Sequence, residues 1–471
     1  MRPHLMPGKL VMIDVTRFRG LLAAALIVPL AACSSVSVPN PLDVIPGIGS
    51  NDDNDELNGE APTDGRVSIL SFEQGLQRDE NAAPADVSLP PPYVNAVWPQ
   101  PGGYPTHALQ HTQASGSLDV AWRESFGAGS DNDRRLNARP VIADGKVFAI
   151  DARGAVSAMD ADTGERIWQH RIEAPSRRDQ MAFGGGIAFA EGRIYAHAGY
   201  NFFVALDAES GSEVWRTETL VPFHGAPTVV DGRVFVSSDD NELLALDSDN
   251  GSVLWTYQGI VESARLLTAP SPAVLGDLVV APFASGELIA LRVQNGNPIW
   301  SDSLTRSGGL TALSEINDVA GSPIVIDNTV YAMSHSGILV AISLRTGERL
   351  WSQPAGGSHA PWVAGDYLYV TTSEAEIVCL NRHDGTVQWI SQLDLFENPR
   401  KRKNRIAWTG PVLAGGRVVV VASNGEVRIL NAYDGAVMRE MDLNDDVFVG
   451  PVIANETVYV VTDEARLIAL R

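Results

Sequence analysis

Six times along this chain a glycine is followed four residues later by a tryptophan: Gly164 and Trp168, Gly211 and Trp215, Gly251 and Trp255, Gly296 and Trp300, Gly347 and Trp351, Gly385 and Trp389. A seventh unit has Gly435 with Arg439 in the tryptophan's place. Successive ends lie 47, 40, 45, 51, 38 and 50 residues apart. That period suits a four-stranded propeller blade and exceeds a leucine-rich or ankyrin unit. In the third unit, Pro227 to Val230 predicts a first strand, Val234 to Val236 a second, Leu243 to Leu246 a third and Val253 to Trp255 a fourth. The runs are short and rich in Val, Phe and Leu, with Asp-Gly and Asp-Asn between them for turns. Gly at the last turn admits positive φ, and the Trp caps the space between neighbouring blades.

The ends of the repeat fix the count. The last unit, Gly450 to Leu470, holds three strands and stops at Arg471, whereas Trp122 stands alone, 46 residues before Trp168. The segment Leu118 to Phe126 therefore supplies the missing outer strand of the last blade. The fold expected over 118–471 is an all-β, eight-bladed propeller of four-stranded blades, closed by its N-terminal strand. Closure removes exposed sheet edges.

Ahead of the repeat the chain changes character three times. Residues 1–32 carry Arg2, Lys9, Arg17 and Arg19, then the apolar run Leu21 to Leu30, then Ala31 and Ala32. The run is too short to span a bilayer, and its flanks are those of a cleaved export signal. Leu30-Ala31-Ala32-Cys33 resembles the bacterial lipoprotein box, in which the cysteine is lipidated and becomes the mature N-terminus. Residues 33–92 are expected to form a flexible tether: from Ser34 to Pro92 there are 11 acids against Arg66 and Arg78, with scattered Gly, Ser and Pro. Such a stretch buries too little apolar surface to offset its ordering entropy. Residues 93–117 are expected to pack on the body as an ordered strap, through Trp98 and Tyr104.

Composition narrows the function classes. With 57 acidic against 35 basic residues and a formal net charge of -22, the body repels nucleic acid and anionic lipid. The two cysteines, Cys33 and Cys379, form no disulfide scaffold and no redox pair; Cys379, in the apolar run Ile377 to Leu380, reads as a buried, inert thiol. Asp160, Asp207 and Asp247 recur at one turn position and read as caps of their own backbone. The nine histidines make no metal-ligand motif, and Gly184-Gly185-Gly186 lacks the residues of a phosphate loop. No catalytic, cofactor-binding or metal site emerges. The one local charge anomaly is the loop Glu397 to Arg405, where Arg400, Lys401, Arg402, Lys403 and Arg405 cluster in an acidic protein. It is a candidate surface for an acidic partner.

The Ala-Leu-Asp-x-x-x-Gly-x-x-x-Trp unit resembles the PQQ-type propeller repeat, and lipobox plus eight units is similar to the BamB family of outer membrane assembly lipoproteins. The resemblance implies a noncatalytic scaffold, lipid-anchored through Cys33 at the periplasmic face of the outer membrane. Its implied partners are the periplasmic domains of the barrel-forming subunit and the associated lipoproteins, with nascent outer membrane proteins as a further candidate. It places partner contacts in two loops. Before Pro272 the family pattern falls on Ala264, Arg265, Leu266 and Leu267, and only Leu266 matches; Arg265 is a nearby candidate to replace the displaced guanidinium. Before Pro323, two family aspartates fall on Asp318 and Ala320, and only the first is kept. Leu310 and Leu313, in the long loop Leu304 to Val319, are further apolar candidates. The alternatives are a PQQ-dependent periplasmic dehydrogenase, for which the vicinal cysteine pair typical of such enzymes is missing, and a generic cell-envelope binding propeller.

Overall fold

The strands form where turn chemistry brackets short apolar runs, and the computed structural model, which describes residues 75–78, 87–174, 183, 185–262, 266, 268–305 and 316–471, groups them into eight four-stranded antiparallel sheets. The third sheet runs Thr228–Val230, Arg233–Ser237, Glu242–Asp247 and Val253–Gln258 from axis to rim. The eighth consists of Val452–Ala454, Thr457–Val461 and Arg466–Leu470, with Val120–Ser125 paired antiparallel to the last of them. The N-terminal strand thus closes the ring. Among the described residues no helix is long and apolar enough to cross a membrane.

The Gly and Trp of the repeat work on opposite sides of one blade boundary. A Cβ placed on Gly211 would lie 2.7 Å from Trp168 of the preceding blade, and Gly251, Gly296, Gly347, Gly385 and Gly435 sit in the same way against Trp215, Trp255, Trp300, Trp351 and Trp389. Each indole also donates across the boundary: Trp168 Nε1 to Ala208 O (3.1 Å), Trp255 Nε1 to Val293 O (2.9 Å), Trp351 Nε1 to Arg382 O (2.9 Å). In every blade the register slips by one between the third and outer strands, as between Ala245 and Leu246 opposite Val253 and Trp255. The bulge turns the indole onto the neighbour.

The ring seam departs from this pattern. Trp122 covers Gly164 like the others, but its Nε1 is buried without a hydrogen-bond partner among the described residues. The equivalent carbonyl, Ala161 O, instead accepts from the Tyr459 hydroxyl (3.1 Å) and the Arg471 guanidinium (3.2 Å). Arg439, which replaces the seventh tryptophan, donates to Ser117 O (2.7 Å) and pairs with Asp119 (2.5 Å). The residue that breaks the repeat holds the chain as it enters the closing strand.

The strap reaches all eight blades. Trp98 exchanges backbone hydrogen bonds with Ile142 in blade 1, and Pro99 O accepts from Phe189 N in blade 2. The Gln100 amide binds both backbone groups of Val229 in blade 3. Pro105 O and Thr106 O accept from Val274 and Val325, Gln110 serves Trp362 and Gly365, Thr112 O accepts from Gly415, and Asn95 O from Asn455. Trp98 is 1% exposed. These contacts lie on the first strands, which line the axis, and on the turns that follow them, so the strap closes that end of the central channel. Ordered contact begins ahead of residue 93: Val87 is buried in the main core cluster, and Leu76 in the cluster between blades 5 and 6.

Candidate partner-binding face

The opposite end of the ring carries the connections from each outer strand to the next blade, together with the turns between second and third strands. Antiparallel pairing puts both at one end of every sheet. This loop face holds the interface residues expected from the sequence that lie among the described residues. Arg265, Leu310 and Leu313 fall outside the described residues, as does Cys33.

Leu266 and Asp318 come from the connections into blades 4 and 5, and the structure joins them: the Leu266 amide donates to Asp318 Oδ2 at 2.9 Å. Asp318 is 4% exposed, and its carbonyl accepts from His335 N at 2.9 Å. A buried carboxylate that accepts a backbone amide sets the shape of the neighbouring loop. The sequence marked Asp318 as a contact residue; its geometry makes it the group that holds Leu266 in position.

The basic segment is a small hairpin rather than an irregular loop. Phe396–Asn398 pairs antiparallel with Lys403–Arg405, and a 3-10 turn at Pro399–Lys401 joins them, capped by Asn398 Oδ1 on Lys401 N (3.1 Å). Arg402 adopts a left-handed conformation with φ 48° and lays its guanidinium 5.6 Å from the Phe396 ring centre. Arg400, Lys401, Arg402 and Lys403 are exposed. Arg405 turns back to the body, donating to Ser373 O (2.5 Å) and pairing with Glu374 (3.4 Å). The five cations thus divide into four outward charges and one structural link.

On the axis, a cavity of about 100 Å³ lies between the strap's Pro101 and the segments leading into the first strands, including Arg139, Thr268, Ser322 and His359. Burial pulls the Arg139 guanidinium down to about 10, and burial with Arg139 nearby drops His359 to about 3. The cavity's volume is below the roughly 300 Å³ of a typical small-molecule pocket. Among the described residues no group of three or more His, Cys, Asp or Glu is placed to hold a metal. Cys379 is fully buried, and burial pushes its thiol upward. His107 and His111 serve the strap: Nδ1 of the first meets Pro323 O at 2.7 Å, and the second bridges Pro90 O and Gly416 N.

A family model described as outer membrane protein assembly factor BamB matches residues 114–179, 152–391 and 397–471. The chain belongs to the BamB family. BamB of Alkalilimnicola ehrlichii is 35% identical over 356 residues, 75% of this chain and 88% of the relative. BamB of Escherichia coli is 30% identical over 332 residues, 70% and 82% of the two chains. The crystal structure of BamB from Moraxella catarrhalis superposes with a TM-score of 0.64 at 20% identity, over 75% of this chain and 99% of that one. A quinohemoprotein alcohol dehydrogenase from Comamonas testosteroni reaches 0.62 at 13% identity, over 79% and 80%. These two superpositions speak to the propeller alone; the family is decided by sequence. Neither the strap's path nor the Arg439 clamp was read from sequence. The only signal for the clamp was the break in the Gly-x-x-x-Trp pattern.

Proposed function

We propose that this BamB-family propeller is a noncatalytic scaffold for outer membrane protein assembly, held at the periplasmic face of the outer membrane by lipid on Cys33. In this reading residues 1–32 are removed, the acidic segment between Cys33 and the ring-bound Leu76 spaces the ring from the bilayer, and the loop face meets the periplasmic domains of the barrel-forming subunit. The observation that carries the contact assignment is the hydrogen bond from the Leu266 amide to Asp318, which fixes two neighbouring connections as one surface. An apolar side chain beside fixed polar groups is the composition of a small interface hot spot. Arg265, Leu310 and Leu313 belong by sequence to the same two connections, and the outward cations Arg400 to Lys403 steer an acidic partner toward the Leu266 surface. The test is affinity capture from solubilised envelopes. Recovery of the barrel-forming subunit with its companion lipoproteins supports the reading, and recovery of the chain without them overturns it.

A further inference from the structure

The loop face has a second feature, which neither the repeat nor the Leu266 surface uses. A cavity of about 660 Å³ opens between blades 5, 6 and 7, walled by His335 to Gly337, Pro354 to Gly356, Thr371 to Glu376 and Arg405 to Trp408. Gly75 and Leu76, from the acidic segment far ahead of the ring, line it. Leu76 is 7% exposed and belongs to the apolar cluster of Tyr331, Met333, Ala355, Leu368 and Val370. Three buried polar atoms of the same wall, His335 Nδ1, Thr371 Oγ1 and Ser373 Oγ, have no hydrogen-bond partner among the described residues. Buried polar groups are nearly always paired, and unpaired ones call for an explanation. Arg405 stands at the rim with its side chain half exposed.

An apolar anchor site and unmatched donors and acceptors together describe what an extended polypeptide supplies: one aliphatic side chain with backbone N–H and C=O groups. Arg405, though already paired with Glu374, adds a half-exposed cation at the rim. The sequence around the seated leucine has this chemistry, with Glu73 before it and Asp79 and Glu80 after it in SFEQGLQRDE. We propose that this cavity is a docking groove for an extended, acidic segment of a partner polypeptide anchored by an aliphatic residue, and that Leu76 occupies the anchor position in cis until such a segment displaces it. A covalently linked occupant acts at an effective concentration of millimolar order, so the groove of the unmodified chain is screened against weak ligands. The inference goes beyond the Leu266 surface and stands or falls separately from it, because its test needs no barrel subunit.

The probe is a fluorescently labelled synthetic peptide of residues 69–84, ILSFEQGLQRDENAAP, titrated by anisotropy into the full-length protein in detergent. Leu76→Asp protein is expected to bind it saturably, and unmodified protein at least about tenfold more weakly because of the cis competitor. Leu76→Ala, a milder release, ranks between them. A peptide with aspartate in place of its leucine fails to bind, and Thr371→Val with Ser373→Ala in the Leu76→Asp background weakens binding several-fold or more. The proposal is overturned if folded Leu76→Asp and Leu76→Ala proteins bind the peptide no better than the unmodified chain. It is equally overturned if Leu76→Asp dimerises with the groove as its interface, which assigns the groove to a second copy.

Discussion

At Gly211 the left-handed backbone, φ 71°, and the Trp168 ring 2.7 Å from a would-be Cβ exclude every side chain for two independent reasons. Gly192 has nearly the same backbone, φ 73°, but open space around it. Gly192→Ala should therefore cost only the backbone term, about 1 kcal/mol. Gly211→Ala should cost roughly 2 to 4 kcal/mol, because the indole must also move off a packed boundary. Urea unfolding of the two variants measures the difference, and equal losses would remove the packing role from the repeat glycine. On the loop face, Leu266→Asp should weaken binding to the barrel subunit's periplasmic domains at least about tenfold, since it deletes an apolar contact and buries an unpaired charge. Asp318→Ala should cost less, about threefold to tenfold, by releasing the Leu266 amide from its acceptor. Isothermal titration with both folded variants decides this, and unchanged affinity in the Leu266 variant moves the interface elsewhere. The pairing of these two residues was not legible in sequence, because it rests on one hydrogen bond between loops 52 residues apart.

The strap and the hairpin are the elements whose behaviour depends most on charge. His107 is fully enclosed, and burial is the main reason its pKa falls to about 4, with Arg139 adding to the effect. In the unfolded chain the imidazole titrates near 6.5, so between those values the unfolded state binds more protons. Stability from the neutral imidazole is full above about pH 6.5 and is lost as pH falls toward 4, with a slope of at most about 1.4 kcal/mol per pH unit for each such group. His197, drawn to about 4 by burial, and His359 act with the same sign. Urea unfolding between pH 4.5 and 7.5 should show this loss, and His107→Gln should reduce the slope; an unchanged slope would remove His107 from the cause. For the hairpin, reversing Arg400, Lys401, Arg402 and Lys403 to glutamate should slow association with the barrel subunit and flatten its salt dependence. A loss indifferent to salt in stopped-flow traces would mean direct packing instead. The strands of each blade were legible because period and turn residues are local. The strap's path was not, because Gln100 with Val229 and Gln110 with Gly365 are single long-range pairings without a repeating signal. The hairpin was hidden for another reason: its turn uses left-handed Arg402 and Asn404, φ 48° and 56°, in a run with no alternation of apolar residues.

For the molecule as a whole, blade count was readable from arithmetic alone, since three strands at one end and an orphan Trp122 at the other leave one way to close the ring. What holds the chain in place lies outside that arithmetic. With a net charge of -22 the chain has no general electrostatic attraction to anionic lipid, so in the function proposed above retention at the membrane would have two sources, lipid on Cys33 and protein partners at the loop face. Several acyl chains hold a protein far more firmly than one, and a partner contact ends when its hot spot is removed. Cys33→Ala should release a folded chain with an unchanged β spectrum and melting temperature, because the residue stands ahead of the acidic segment and outside every blade. Any part of that variant still sedimenting with membranes should be lost on adding Leu266→Asp, whereas Leu266→Asp alone, with its lipid intact, should remain membrane-bound through a high-salt wash. Fractionation of the three variants, with mass measurement of the N-terminal peptide, separates the two attachments. A Cys33→Ala chain that stays in the outer membrane fraction with lipid on it would show that the anchor is elsewhere.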